Sequence, residues 1–167
     1  MTLSRAAAFG PRLLALALLA LAACASPAAG RFAVSADGQE VTDSTSGLTW
    51  RRCAEGMRWD GKACSGKLLK YSYATAKAKA SDTAKQAGKS WRIPTHDELV
   101  ALLDRARKKK PLIDSESFPQ TPSAPFWASK AGSDDDLNAW LVNFGNGKVH
   151  ANLGQAKFPL RLVRAAS

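Results

Sequence analysis

The ten residues Ser90 to Leu99, SWRIPTHDEL, constrain the fold of this chain more tightly than any other stretch. Pro94 lacks a backbone N–H and pushes the preceding residue away from helical angles, so no helix runs back through Ile93. Thr95 with Glu98 three residues later fits a capping box, in which each side chain accepts the other residue's backbone N–H. Asp97 in the first turn also suits the positive end of the helix dipole. A helix is therefore predicted to run from Thr95 to about Arg107. Leu99, Leu102, Leu103 and Ala106 supply its core-facing stripe. Lys108, Lys109 and Lys110 would finish it at the negative end of the dipole, and Pro111 would stop it.

The same geometry weighs against chemistry in His96-Asp97-Glu98. Successive helical side chains point roughly 100° apart, so the three cannot close on one metal ion. The position four residues after His96, where a second helical ligand would stand, is Val100. Capping accounts for Thr95 and Glu98, and only His96 is left without a role.

Elsewhere the pattern is of short strands. RFAVS, EVTD and GLTWRR are extended segments separated by the turn signals ADGQ (Ala36 to Gln39) and STSG (Ser44 to Gly47). The insert CAEGMRWDGKAC carries Cys53 and Cys64 at its ends and reads as a closed loop or irregular hairpin. Tyr73 to Ala87 alternates alanine as a strand would, but Tyr73, Ala76, Ala80, Ala84 and Ala87 also share one helical stripe. Alanine and lysine favour the helix, and Gly88 would close it. A proline-punctuated loop covers residues 111–125. FWASK, a hairpin turning at Asn146-Gly147 in type I′ geometry, and a final strand PLRLVRA complete the chain. With no internal repeats, this predicts one compact α+β domain of short, mostly antiparallel strands with two helices.

The N-terminus bears on compartment. Arg5 and Arg12 precede an apolar run from Leu13 to Ala23, too short for a comfortable membrane span, which reads as an export signal. LAAC, Leu21 to Cys24, resembles a bacterial lipobox, whose cysteine becomes the lipid-modified first residue. Simple cleavage after Ala25, leaving a secreted or periplasmic soluble protein, is the alternative. The favoured reading gives a signal peptide over residues 1–23, lipidated Cys24 with a short linker over 24–30, and a domain over 31–167. Without the inner-membrane-retaining aspartate after the cysteine, the lipoprotein resemblance implies the outer membrane. In such a compartment Cys53 and Cys64 are expected to form a disulfide worth about 2–4 kcal/mol.

Charge is regional. The whole chain carries a formal +10, and residues 66–110 hold twelve Lys/Arg against four Asp/Glu. The other residues after the signal balance, which points to one electropositive face. Lys77, Lys79, Lys85, Arg105, Arg107, Lys108, Lys109 and Lys110 are the candidate ligand-binding residues. A solubilising helix face accounts for them about equally well. Export argues against nucleic acid as a partner.

No cofactor or metal is expected, and nothing marks an enzyme. Two cysteines without a Cys-x-x-Cys motif suit neither redox catalysis nor a thiolate metal site. No P-loop or Gly-x-Ser-x-Gly elbow occurs. GSDDDLNAW, Gly132 to Trp140, offers hard oxygens for calcium but matches no EF-hand, and a solvated acidic loop fits it better. Trp127 and Trp140 would line a sugar platform only if exposed.

Five pieces then occur in a familiar order: VTDSTSGLTWRRC (Val41 to Cys53), WRIPTHDELVALLD (Trp91 to Asp104), SFPQTPSAPFWAS (Ser117 to Ser129), NAWLVNFGNGKV (Asn138 to Val149) and LRLVR (Leu160 to Arg164). Together they resemble the Lcl C-terminal domain, a bacterial domain of unknown function found at the end of collagen-like adhesins and in small exported proteins. The resemblance covers nearly all of the chain beyond the signal. It implies kinship with C-type-lectin-like and formylglycine-generating-enzyme-like folds. It also implies, through the adhesin members, binding of sulfated or acidic polysaccharides. Formylglycine chemistry would need cysteines late in the chain, and none follows Cys64. The expectation is a non-enzymatic envelope lipoprotein that binds an acidic or sulfated glycan, or lipopolysaccharide, through its basic face. The alternative is a structural or protein-interaction module at the outer membrane without a glycan ligand.

Overall fold

A computed structural model of the protein describes Thr2 and residues 30–130, 132, 139–153 and 155–166. Among these lie β1 (Phe32–Val34), β2 (Glu40–Asp43), β3 (Leu48–Arg51), β4 (Met57–Trp59), β5 (Cys64–Gly66), α1 (Tyr73–Ala87), α2 (His96–Ala101), β6 (Pro125–Ser129), β7 (Ala139–Asn143), β8 (Val149–Asn152) and β9 (Val163–Ala165). Three antiparallel sheets form, ordered β1-β2-β3-β9, β4-β5 and β6-β7-β8. This is the expected α+β domain of short strands with two helices.

The middle of β6-β7-β8 is covered on both faces, which explains the apolar density of its sequence. Phe126, Ala128 and Val142 point into a first core with Trp50, Leu99, Phe118 and Val163. Their neighbours Trp127, Ala139 and Leu141 point into a second core with Tyr73, Trp91, Ile93, Leu160 and Leu162. The period of two along a strand divides the residues between the cores. A fully buried leucine or phenylalanine here contributes about 1.5–3 kcal/mol.

β2 alternates inward Val41 and Asp43 with half-buried neighbours. Buried Asp43 accepts from Arg31 Nε and Nη2 at 2.9 and 2.7 Å, from the Thr45 N–H and from the Ser46 hydroxyl. Burial pushes its carboxyl up, but these bonds outweigh that and hold it below the usual range.

α1 is capped by Ser72 and by Gly88 in the left-handed conformation, and it buries Tyr73, Ala76, Ala80 and Thr83. The predicted stripe holds for three of its residues. Thr83 then takes the inward place, while Ala84 is half-buried and Ala87 exposed. The capping box at Thr95 and Glu98 is present as expected, with Glu98 Oε2 accepting the Thr95 N–H at 2.8 Å and Thr95 Oγ1 accepting the Glu98 N–H at 3.2 Å.

Three expectations need correction. α2 stops at Ala101 instead of Arg107. The Asp104 N–H turns to the Leu112 carbonyl, and the Asp104 carboxylate takes the Ala106 N–H at 3.1 Å. These local bonds offer the backbone an alternative to the helical ladder. Lys108, Lys109 and Lys110 therefore sit on an irregular exposed segment rather than at a helix end.

The Asn146-Gly147 turn is not type I′, because Gly147 alone of the pair has positive φ, at 70°. Its N–H and that of Asn146 both bond the Asn143 carbonyl, and Asn143 pairs with Lys148, giving a longer loop than a two-residue hairpin. The final strand is shorter than PLRLVRA, comprising only Val163–Ala165. Leu160, Arg161 and Leu162 before it are all buried, and their backbone bonds Arg51 and Glu55 across the molecule. The proline-punctuated loop proves to be core material, since it buries Ile113 and Phe118 completely.

Cys53 and Cys64 form the expected disulfide, closing the β4-β5 hairpin across a separation of 11 residues. Fully buried Arg161 donates to the Arg51 and Arg52 carbonyls and to Thr121 Oγ1, and so fixes the chain as it enters this hairpin.

Candidate functional site

The eight basic residues singled out from sequence do not gather at one place. Lys77 lies 5.9 Å from the Tyr73 ring centroid, Lys79 reaches Glu55 Oε2 at 3.7 Å, and Lys85 is exposed in the last turn of α1. Arg105 donates to the Gly147 carbonyl, and Arg107 to the Lys109 carbonyl and the Ser115 hydroxyl. Lys108, Lys109 and Lys110 are exposed. Among the described residues, no contact or cavity contains members of both the α1 set and the 105–110 set. The latter segment borders a hollow that it shares with Asp104 and Asp114, so its charge is locally opposed.

A cavity of about 590 Å³ lies between α1, residues 91–95 and the end of β6. Residues 91–95 are held by paired backbone bonds between Arg92 and Val163 and by the Ser129 N–H donated to the Pro94 carbonyl at 2.8 Å. The Trp91-Arg92-Ile93 step alternates as a strand would, burying Trp91 and Ile93 and turning Arg92 outward. Tyr73, Trp91, Ile93 and Ala80 give the cavity apolar walls, and Ser81, Thr95 and Ser129 add hydroxyls.

Among the described residues its charged lining is Lys77, Arg92 and Lys130, with no carboxylate. Arg92 is paired outside the wall, donating from Nη1 and Nη2 to Glu98 at 2.8 and 2.7 Å. Burial pushes the Glu98 carboxyl up, and the Arg92 and Thr95 bonds more than offset this, leaving it below the usual range. The cavity thus offers cations, hydroxyls and apolar surface together, the mixture that a saccharide bearing an acidic group requires.

Arg92 and Lys130 were not among the candidates from sequence. The alternation at Trp91-Arg92-Ile93 was the available signal for Arg92. Nothing in the pattern marked Lys130, which reaches the site only because β6 lies beside residues 91–95. Trp127 is fully buried and supplies no sugar platform; its indole N–H donates to the Tyr71 carbonyl at 2.6 Å. Half-buried Trp140 stacks on His96 with centroids 4.9 Å apart, which gives that histidine a packing role.

Cys24 lies outside the described residues, as does most of the Gly132 to Trp140 stretch read as an acidic loop. Among the described residues no group of three metal-ligating side chains occurs, and no helix is long and apolar enough to cross a membrane. The sequence model of the Lcl C-terminal domain matches residues 39–164. No curated protein and no solved structure matches the chain.

Proposed function

From a chain that belongs to the Lcl C-terminal domain family, we propose a non-enzymatic, lipid-anchored module of the bacterial envelope that binds an acidic or sulfated glycan. One observation carries the reading: among the described residues, Lys77, Arg92 and Lys130 line a single cavity that no carboxylate lines. An anionic group seated there meets charge-assisted donors, while the sugar ring covers the apolar wall. Lys108, Lys109 and Lys110 lie outside this cavity and act at longer range by raising the local potential. Envelope location rests on the apolar N-terminal run, the LAAC stretch ending at Cys24, and a disulfide suited to an oxidising compartment.

Retention on immobilised heparin and on lipopolysaccharide tests the ligand. Wild type should be retained at low salt and released as salt rises, and Lys77→Ala with Lys130→Ala should elute earlier. Equal elution of the two proteins, or no retention of wild type at low salt, overturns the reading. Palmitate incorporation should be lost in Cys24→Ala; retained labelling would refute the anchor.

A further inference from the structure

Residues 105–110 read Arg-Ala-Arg-Lys-Lys-Lys, five cations in six positions with no carboxylate among them. The fold sets this run beside the point where the chain enters its domain. Arg31 Nη2 donates to the carbonyl of Ala101, the last residue of α2, at 2.8 Å. Arg31 and Phe32 also line one hollow with Asp104 and Arg105, so the entry point and the basic segment lie on the same side.

The cations of the segment divide into those that shape it and those that are left over. Arg107 holds its curve, donating to the Lys109 carbonyl at 3.1 Å and to the Ser115 hydroxyl at 2.7 Å. Arg105 donates to the Gly147 carbonyl, which places exposed Lys148 beside the segment. Lys108, Lys109 and Lys110 are exposed, and among the described residues no ion pair includes them. The nearby carboxylates are engaged in their own turns. Asp104 accepts the Ala106 N–H, and Asp114 accepts those of Glu116 and Ser117.

Six residues separate Cys24 from Arg31, and fully extended they span at most about 25 Å. A domain of this length is roughly 35 Å across. An anchor at Cys24 therefore keeps the Arg31 side of the domain toward the bilayer, and the unpaired lysines with it. Acyl chains and a polybasic patch together make a stable two-part membrane attachment.

We propose that residues 105–110, with Lys148, dock on the anionic phospholipid headgroups of the bilayer that holds the anchor. This rests on the lipid-anchor part of the reading above and on none of its glycan part, since Lys77, Arg92 and Lys130 take no part. Docking also sets the stance of the domain. The Ala101 end of α2 meets Arg31, whereas Thr95 at its other end lines the cation-bearing cavity. That cavity is then held at the end of α2 away from the lipid.

The test uses the lipidated protein, purified from membranes and reconstituted on two kinds of vesicle. One is phosphatidylcholine alone, and the other contains an equal part of phosphatidylglycerol. A membrane-impermeant reagent acetylates exposed lysines, and mass spectrometry reads the rate at each site. At low salt Lys108, Lys109 and Lys110 should react at least about fivefold more slowly on the anionic vesicles, and high salt should restore the rate. Lys85, exposed in the last turn of α1, is the internal reference and should react alike on both. Lys148 should be protected in wild type and lose that protection in Lys108→Ala with Lys109→Ala and Lys110→Ala. Equal rates at Lys108, Lys109 and Lys110 on both vesicles, with the protein bound to each, overturn the docking and leave the anchor standing. Protein that fails to stay on phosphatidylcholine vesicles overturns the anchor, and the docking with it. Protection of Lys85 to the same degree, persistence of Lys148 protection in the triple variant, or protection only where lipopolysaccharide replaces phosphatidylglycerol also overturns the proposal.

Discussion

α1 borders two cavities along its length, and they take opposite characters. Near its start, Tyr73, Lys77, Ala80 and Ser81 face a cavity with cations and, among the described residues, no carboxylate. Near its end, Thr83, Gln86 and Ala87 face one that mixes Arg51 and Arg58 with buried Glu55. The helix is alanine- and lysine-rich throughout, so its composition does not decide this. What decides is the partner across each gap: the end of β6 supplies Lys130 to one, and the start of the disulfide hairpin supplies Glu55 to the other. Charge counted along a sequence gives the net surplus, while the fold decides which cations share a ligand.

Trp91 is the sharpest place to break the comparison. It is 3% exposed, lines the first cavity and stacks beneath Arg51 of the second. Trp91→Ala should lower stability by about 3–5 kcal/mol and damage both cavities, as denaturant melts, heparin retention and backbone amide shifts of residues lining each cavity would show. Damage confined to one cavity would mean that Trp91 does not couple them.

Removing the disulfide should separate the two. Cys53→Ala with Cys64→Ala releases the hairpin that walls only the second cavity. The expected loss is about 3 kcal/mol by loop entropy, measured by denaturant melts against wild type. Heparin retention should survive at low temperature, because no residue of this hairpin lines the first cavity.

Glu98→Gln gives a smaller effect of the opposite kind. Glutamine can still serve the capping box, but Arg92 loses its counter-charge and becomes available to the first cavity. Stability should fall by about 1 kcal/mol or less, while the salt needed to elute from heparin should rise. Acid should act in the same direction. The folded Glu98 and Asp43 carboxyls both titrate below their usual values, so their stabilisation is present above the unfolded range. It is lost as pH falls below about 4 through the folded values. A stability profile flat from pH 6 to about pH 2 would contradict this assignment.

Much of the fold was legible because local chemistry was explicit. The capping box at Thr95 and Glu98, the glycine cap at Gly88 and the cysteine pair each specify a local structure almost unaided. Where local and tertiary terms compete, the reading failed. Leu102, Leu103 and Ala106 continued a helical stripe, but Asp104 offered its own side chain and the chain turned toward Leu112. The candidate site was legible only in part. Lys77 was visible as an outward helical cation, whereas Lys130 enters through the parallel bridge between Thr95 and Ser129, which joins residues 34 positions apart. The unpartnered Thr83 hydroxyl has no sequence signature at all, since it depends on what the rest of the fold fails to bring near it.

The most direct measurement of the central claim is the affinity of a size-defined heparin fragment for three proteins at one low salt concentration. These are wild type, Lys77→Ala with Lys130→Ala, and Lys108→Ala with Lys109→Ala and Lys110→Ala. A ligand seated in the first cavity should lose roughly tenfold in affinity in the double variant and only about two- to threefold in the triple variant. A triple variant that loses binding while the double variant keeps it would place the ligand on the irregular segment after α2 and contradict the account.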